Sequence, residues 1–170
     1  MTGILLFELA MILITIGLFY FMRKKGYKHA LLKIFILFIG VFLFEVMSEP
    51  MWRNLLLHSW SYIYHDVSWI ITLGWVNIFL VSMLLVDHYF KKYSEIKRFW
   101  LYLLAVTIIT VPIEALLLNM GIRAYDPVLT STMTGISFLS APIETLFIVP
   151  MIAALVIPFF KVFYGLFRKD

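Results

Sequence analysis

The chain has no cysteine, which excludes disulfides, thiolate-bound metals, haem attachment and cysteine nucleophiles and leaves the redox compartment undetermined. Charge is sparse as well: Asp, Glu, Lys and Arg make up 14% of 170 residues, against 63% hydrophobic ones, and the mean hydropathy is +0.97. That balance lies outside soluble globular composition and within the class of chains that cross a bilayer several times. No low-complexity stretch or linker divides the chain, so one integral-membrane domain over residues 1–170 is expected. No glycine-rich phosphate loop, metalloprotease helix or Ser-His-Asp ordering stands out, and His numbers only four. The formal charge of +4 does not argue for nucleic acid, because the basic residues sit in short clusters beside apolar runs, where topology determinants belong.

What is present is a set of five apolar runs, at Gly3–Met22, Ala30–Met47, Val67–Val86, Phe99–Leu118 and Phe138–Phe160. Each reaches or approaches the roughly 20 helical residues needed to cross a hydrocarbon core. The expected fold is an all-α, polytopic bundle of about five transmembrane helices in the cell membrane. The first run reads as a retained anchor rather than a signal peptide, since Arg23, Lys24 and Lys25 follow it instead of preceding it. Of the 14 Lys and Arg, all but Arg53 and Arg123 fall on one side of this arrangement. The positive-inside rule then puts the N-terminus outside and the C-terminus in the cytoplasm.

Both outer connections are aromatic and polar. Glu49–Asp66, EPMWRNLLLHSWSYIYHD, is expected to be partly an interfacial helix, on which His58, Tyr62 and His65 share a face beside Asp66. A zinc site there is conceivable, but the spacing fits no specific motif, and an interfacial polar face is the plainer reading. Asn119–Thr132 carries Gly121, Asp126 and Pro127 and should turn in its first half. Since each loop follows a helix with a Glu near its outer end, segments 30–86 and 99–160 are candidates for an internal repeat.

The acids then form a pattern. VPIEALLL (Val111–Leu118) and APIETLFIV (Ala141–Val149) each place Pro-Ile-Glu inside an apolar run. Counted along the helices at about 1.5 Å per residue, Glu8, Glu45, Glu114 and Glu144 fall about 3 to 9 Å from the same outer boundary. A charge within a bilayer costs about 2.5–3.5 kcal/mol at a helix centre, so such residues face the bundle or a wet cavity. No basic residue lies within the same stretches of span to neutralise them. Each Glu is either a structural hydrogen-bonded residue or part of a site. For the Pro-Ile-Glu pair the second reading is favoured, because Pro112 and Pro142 each remove a backbone donor and disturb the preceding turn. A pocket of crowded, desolvated carboxyls raises their pKa values and suits general-acid chemistry on an apolar substrate. Glu144 and Glu114 are the expected proton donor and its partner, with Glu45 and Glu49 orienting them; Tyr125, Asp126, Trp60, Tyr62 and Pro142 are expected to line the pocket.

The run GIRAYDPVLTSTMTGISFLSAPIETLFIVPMI resembles the C-terminal part of the lycopene cyclase domain, a family of small membrane carotenoid cyclases. Pro142, Ile143 and Glu144 match the first three positions of the family's Pro-x-Glu-Glu type motif, with Tyr125 and Gly135 upstream, and Thr145 stands where the second acid is expected. The resemblance implies an enzyme of isoprenoid or carotenoid metabolism that protonates a polyene, so that the carbocation closes a ring or captures water, without net redox change. It also implies a lipid substrate and the possibility of paired subunits; the cofactor is unknown. Two other classes remain open: a small substrate-binding or transport subunit whose acids take up a proton or cation, and an assembly partner in a larger membrane complex.

Overall fold

The computed structural model describes residues 2–167. Five helices in it are long and apolar enough to cross a membrane: α1 (Thr2–Lys24), α2 (Ala30–Ser48), α3 (Trp69–Tyr89), α4 (Glu95–Asn119) and α6 (Thr145–Phe167). The short α5 (Pro127–Ser131) lies between the last two. At 19 to 25 residues the five span about 28 to 38 Å at 1.5 Å per residue, the thickness of a hydrocarbon core. Their ends follow local chemistry. Ser68 and Ser94 cap α3 and α4, their hydroxyls accepting from the backbone N–H of Ile70 and Lys97. Arg23 and Lys24 occupy the last turn of α1, where cations complement the helix dipole.

Helices α2, α3, α4 and α6 form a closed ring, each packed on two neighbours, while α1 lies outside it against α3 and, to a smaller extent, α2. The core runs up the ring through Leu37, Val41, Phe79, Val106, Ile152 and Val156. Gly40 sets the approach of α2 to α6: a Cβ there would stand 2.8 Å from the Phe159 ring. Small residues at helix crossings serve this purpose in lipid, where packing rather than water exclusion holds helices together.

The two long connections meet at one end of the bundle, here the loop end, and the short basic turns at the other, the basic end. The loop end is not all helix, which amends the all-α expectation. Strands β1 (Trp52–Asn54) and β4 (Arg123–Tyr125), one from each loop, pair antiparallel with Trp52 opposite Tyr125 and Asn54 opposite Arg123. The hairpins β2 (Tyr62–Tyr64) with β3 (Val67–Ser68), and β5 (Ser137–Phe138) with β6 (Ala141–Pro142), lead into α3 and α6 respectively. The second half reads helix, strand, short helix, hairpin, helix, and the first half has the same order with an additional 3-10 turn, Glu49–Met51, before its strand. The suggested repeat remains a proposal.

Two expectations fail here. The helical pieces of the first loop are two 3-10 turns, Glu49–Met51 and Ser59–Ser61, and positive φ at Leu56 and His65 breaks any longer helix, so His58, Tyr62 and His65 share no helical face. The last helix starts at Thr145, not Phe138, because Leu139 and Ser140 both adopt positive φ in the β5–β6 turn and Pro142 disfavours helix at Ala141.

Replacing Gly40 with Leu should lower stability by about 1–3 kcal/mol through overpacking against Phe159. Thermal unfolding in detergent checks this, and G40L/F159A should recover part of the loss.

Candidate functional site

Gly121 begins the site. At φ +69 it ends α4 in a Schellman turn, with the Ile122 N–H donating to Leu117 O and the Gly121 N–H to Leu118 O. The chain is thereby reversed onto its own helix, and Ile122 and Arg123 are buried rather than solvated. Arg123 Nε comes 3.3 Å from Glu114 Oε1, with the two side chains 2% and 7% exposed. The Tyr125 hydroxyl donates to the same Oε1 at 3.2 Å. The guanidinium lies 4.6 Å from the Trp52 ring centroid, so β1 supplies its aromatic face and β4 its backbone.

Glu45 stands close by on α2. It is 1% exposed, Thr72 of α3 donates a short hydrogen bond to its Oε2, and its Oε1 has no partner among the described residues. Arg123 and Glu114 both act on it electrostatically. One guanidinium therefore stands near two buried carboxyl groups, in contact with Glu114, and the three together are electrically neutral when they also hold one proton. Tyr125 adjoins it from the loop; burial first, then the Glu114 charge, holds its phenol above the usual tyrosine range, so it remains a donor.

Beside this cluster a cavity of about 220 Å³ opens between α1 and α4, floored by α3. Its walls are apolar, with Met11 and Ile14 from α1, Trp75 and Ile78 from α3 and Ile113 from α4. The polar groups at its edge are few: Glu114, Arg123, Asn77 and Thr110. Thr110 lies one turn before Glu114 on the same face of α4, and its hydroxyl is buried without a hydrogen-bond partner among the described residues. Asn77 is already engaged, donating to Met11 O at 3.2 Å and accepting from the Thr15 hydroxyl at 2.9 Å, which ties α1 to α3. An apolar volume with a few convergent polar groups is the form expected of a small-molecule site.

All four glutamates of the expected layer lie at the loop end, but they form three separate contacts. Glu8 is fully buried and takes the His58 backbone N–H on Oε1 and the His58 ring on Oε2, both at 2.8 Å, which pins the first loop to α1. Glu144 precedes α6 instead of lying within it. Its Oε1 accepts from the Thr134 backbone N–H at 2.7 Å and from the Thr134 hydroxyl at 2.8 Å. Those donors, the Thr134 N–H foremost, and its own backbone N–H hold its carboxyl below the usual range, the reverse of the raised value expected for a proton donor. Among the described residues Glu144 makes no hydrogen bond or ion pair with the cluster. Glu49 begins the turn after α2 and its side chain makes no polar contact among the described residues.

The expected lining residues also separate. Tyr125 joins the cluster, and the other four stand apart from the cavity. Asp126 caps α5 through the Val128 N–H and pairs with Arg53 at 3.0 Å. Trp60 is exposed and packs edge-on against Trp69. The Tyr62 hydroxyl donates to Asn54 O. Pro142 lies in β6, where its carbonyl accepts from the Thr145 hydroxyl, so Pro142 kinks no helix, whereas Pro112 does lie within α4. Arg123, Thr72, Thr110 and Thr134 were not singled out from the sequence. Only Arg123 carried a usable signal, a basic residue two positions after a helix-ending glycine. Among the described residues no group of three or more His, Asp or Glu is placed to hold a metal. Compared with known proteins, the chain matches no family model, no curated protein and no solved structure.

Removing one partner of a buried ion pair strands the other charge. Arg123→Gln should therefore cost about 3–5 kcal/mol, and the double variant with Glu114→Gln should be more stable than Arg123→Gln alone. Thermal unfolding of the two variants beside the unaltered protein measures this. At Glu144 the folded-state pKa is depressed, so its contribution is complete above the ordinary value of 4.5 and is lost as pH falls through the lower folded value. Amide-exchange protection at Thr134 should fall along that course, and Glu144→Gln should abolish the pH dependence.

Proposed function

We propose that this chain is a multi-pass membrane enzyme that acts on an isoprenoid or carotenoid chain held in the α1–α4 cavity, with the Glu45–Glu114–Arg123 cluster as its proton source. The observation that carries the reading is that, among the described residues, Glu114 is the only carboxylate lining a cavity whose walls are mostly apolar. The resemblance of the last loop and helix to the lycopene cyclase domain supports the same chemistry. The predominance of basic residues at the opposite end supports a loop end facing outward, under the positive-inside rule.

The proposed step is general-acid catalysis. The proton that balances the cluster passes through Glu114 to a terminal carbon–carbon double bond of the substrate. The new C–H bond takes the π electrons and leaves a tertiary carbocation. A neighbouring double bond attacks that cation to close a ring, and loss of a proton back to the carboxylate restores the enzyme, so substrate and product have equal mass. Arg123 restrains Glu114 through its charge and fixes its position, Thr72 positions Glu45, and Trp75 offers the cation an aromatic face. The roles expected from sequence are thereby rearranged: Glu45 replaces Glu144 as the partner of Glu114, and Glu144 orders the loop.

A second reading rests on the Arg123–Glu114 pair itself. A carboxylate already matched to a guanidinium suits binding of a lipid without chemistry, as in a transport or substrate-binding subunit.

Lipid extracts from cells with and without the protein, compared by mass spectrometry, separate these readings. An isoprenoid of unchanged mass and altered retention is expected, and a gain of water indicates hydration instead. Glu45→Gln, which keeps the Thr72 contact, should remove turnover by 100-fold or more, on the ~10²–10⁴ scale of general-acid catalysis. Turnover that survives in both Glu45→Gln and Glu114→Gln would overturn the assignment, and saturable binding of an unchanged lipid would support the second reading.

A further inference from the structure

The cavity between α1 and α4 keeps hydrogen-bonding capacity that the acid chemistry does not use. A threonine buried in a helix can satisfy its hydroxyl on the carbonyl one turn back. Thr15, Thr72 and Thr107 do so, donating to Met11 O, Ser68 O and Leu103 O at 2.8 to 3.1 Å. Thr110 does not: it is 2% exposed, it lines the cavity, and its Oγ1 has no hydrogen-bond partner among the described residues.

Arg123 lines the same space and is almost as deeply buried. Glu114 meets it at Nε and the Trp52 ring lies against its guanidinium, while its terminal amino groups make no hydrogen bond with the described residues. Buried donors left without partners cost stability, and a ligand that supplies the partner recovers the loss on binding. Two such side chains at one edge of an apolar cavity are therefore a polar receptor for one end of a ligand.

We infer, on the isoprenoid reading of this cavity, that it takes an isoprenoid whose end carries a hydroxyl, and that Thr110 and Arg123 are the residues that read that oxygen. The group is uncharged, because Glu114 already matches the Arg123 charge and Glu45 adds a second carboxyl close by. A carboxylate or phosphate would add negative charge to a buried site whose described lining holds no second cation. A hydroxyl accepts from the guanidinium and donates to Thr110 Oγ1 or to the Glu114 carboxylate, so it matches donors and acceptors at once, whereas a carbonyl only accepts. At about 220 Å³ the cavity is below the ~300 Å³ of ordinary small-molecule sites, so it holds a chain end and not a whole carotenoid. Glu114 follows Thr110 by about 6 Å along α4 at 1.5 Å per residue, so an oxygen held at Thr110 brings the neighbouring carbons of the chain to the acid.

Equilibrium binding to the full chain in detergent, read by native mass spectrometry, tests this with three probes of one skeleton: farnesol, the hydrocarbon farnesene and the anion farnesoate. Farnesol should saturate one site. Thr110→Val, which exchanges the hydroxyl for a methyl of similar size, should weaken farnesol about five- to tenfold, the scale of one hydrogen bond, and leave farnesene unchanged. Thr110→Ser, which keeps the oxygen, should restore most of the farnesol affinity. Without ligand, Thr110→Val should unfold at no lower temperature than the unaltered protein, since it removes an unmatched buried hydroxyl; a hydroxyl with a structural role would cost stability on removal, and that result would overturn the inference. So would an absence of saturable farnesol binding, an unchanged farnesol affinity in Thr110→Val, or an equal loss of farnesol and farnesene. Farnesoate binding more tightly than farnesol would overturn the uncharged head. Binding is read apart from turnover: Thr110-dependent farnesol binding in a protein without acid activity would sink the enzyme reading and leave this one, and turnover of a hydrocarbon with no effect of Thr110→Val would do the reverse.

Discussion

A carboxylate removed from water needs a partner, and the loop end of this protein is organised around that requirement. The Glu114–Arg123 pair is the central case. Its two members are almost fully enclosed, and each carries a desolvation penalty that the charge of the other helps to offset. Meeting the requirement fixes much else. The chain must reverse at Gly121, β4 must form so that Arg123 is presented inward, β1 must lie alongside to bring Trp52 over the guanidinium, and the two long loops are consequently joined. Glu45 then inherits a neighbourhood whose single cation is already in use.

Much of the scaffold was legible in the sequence because hydropathy reports directly on solvent. Five apolar runs became five helices, and Ala30 was read as a helix start without error. Counting residues along antiparallel helices put Glu8, Glu45 and Glu114 toward the loop end, where their partners are found, whereas Glu144 was counted along a helix that in fact begins one residue after it. What hydropathy does not register is backbone handedness. Phe138, Leu139 and Ala141 are apolar enough to belong to a span, yet two successive positive-φ residues make them a hairpin. That difference moves Glu144 from a helix interior to a turn where Thr134 donors surround it, and with it the roles assigned to the two Pro-Ile-Glu copies.

The partners of the acids were less legible, for a different reason. Thr72 lies 27 positions from Glu45 and His58 lies 50 from Glu8. Such pairings are set by which helices pack together, which no local pattern encodes. Arg123 was counted as an outer-loop charge because it lies outside the apolar run, although the Schellman turn returns it to the helix it has just left. Glu114 and Glu144, alike in their tripeptides, therefore differ in everything around them: one is buried against a guanidinium, the other is half-buried and bonded to a loop amide.

The placement of α1 outside the ring has a further implication for how a ligand meets this protein. Were the cavity between α1 and α4 to take the lipid proposed for it, that molecule would travel to it in two dimensions within a leaflet. Occupancy of such a site follows the mole fraction of ligand among lipids, not its concentration in water. Affinity then becomes a property of the host membrane as much as of the cavity, and the same protein placed in bilayers of different composition would fill its groove to different extents.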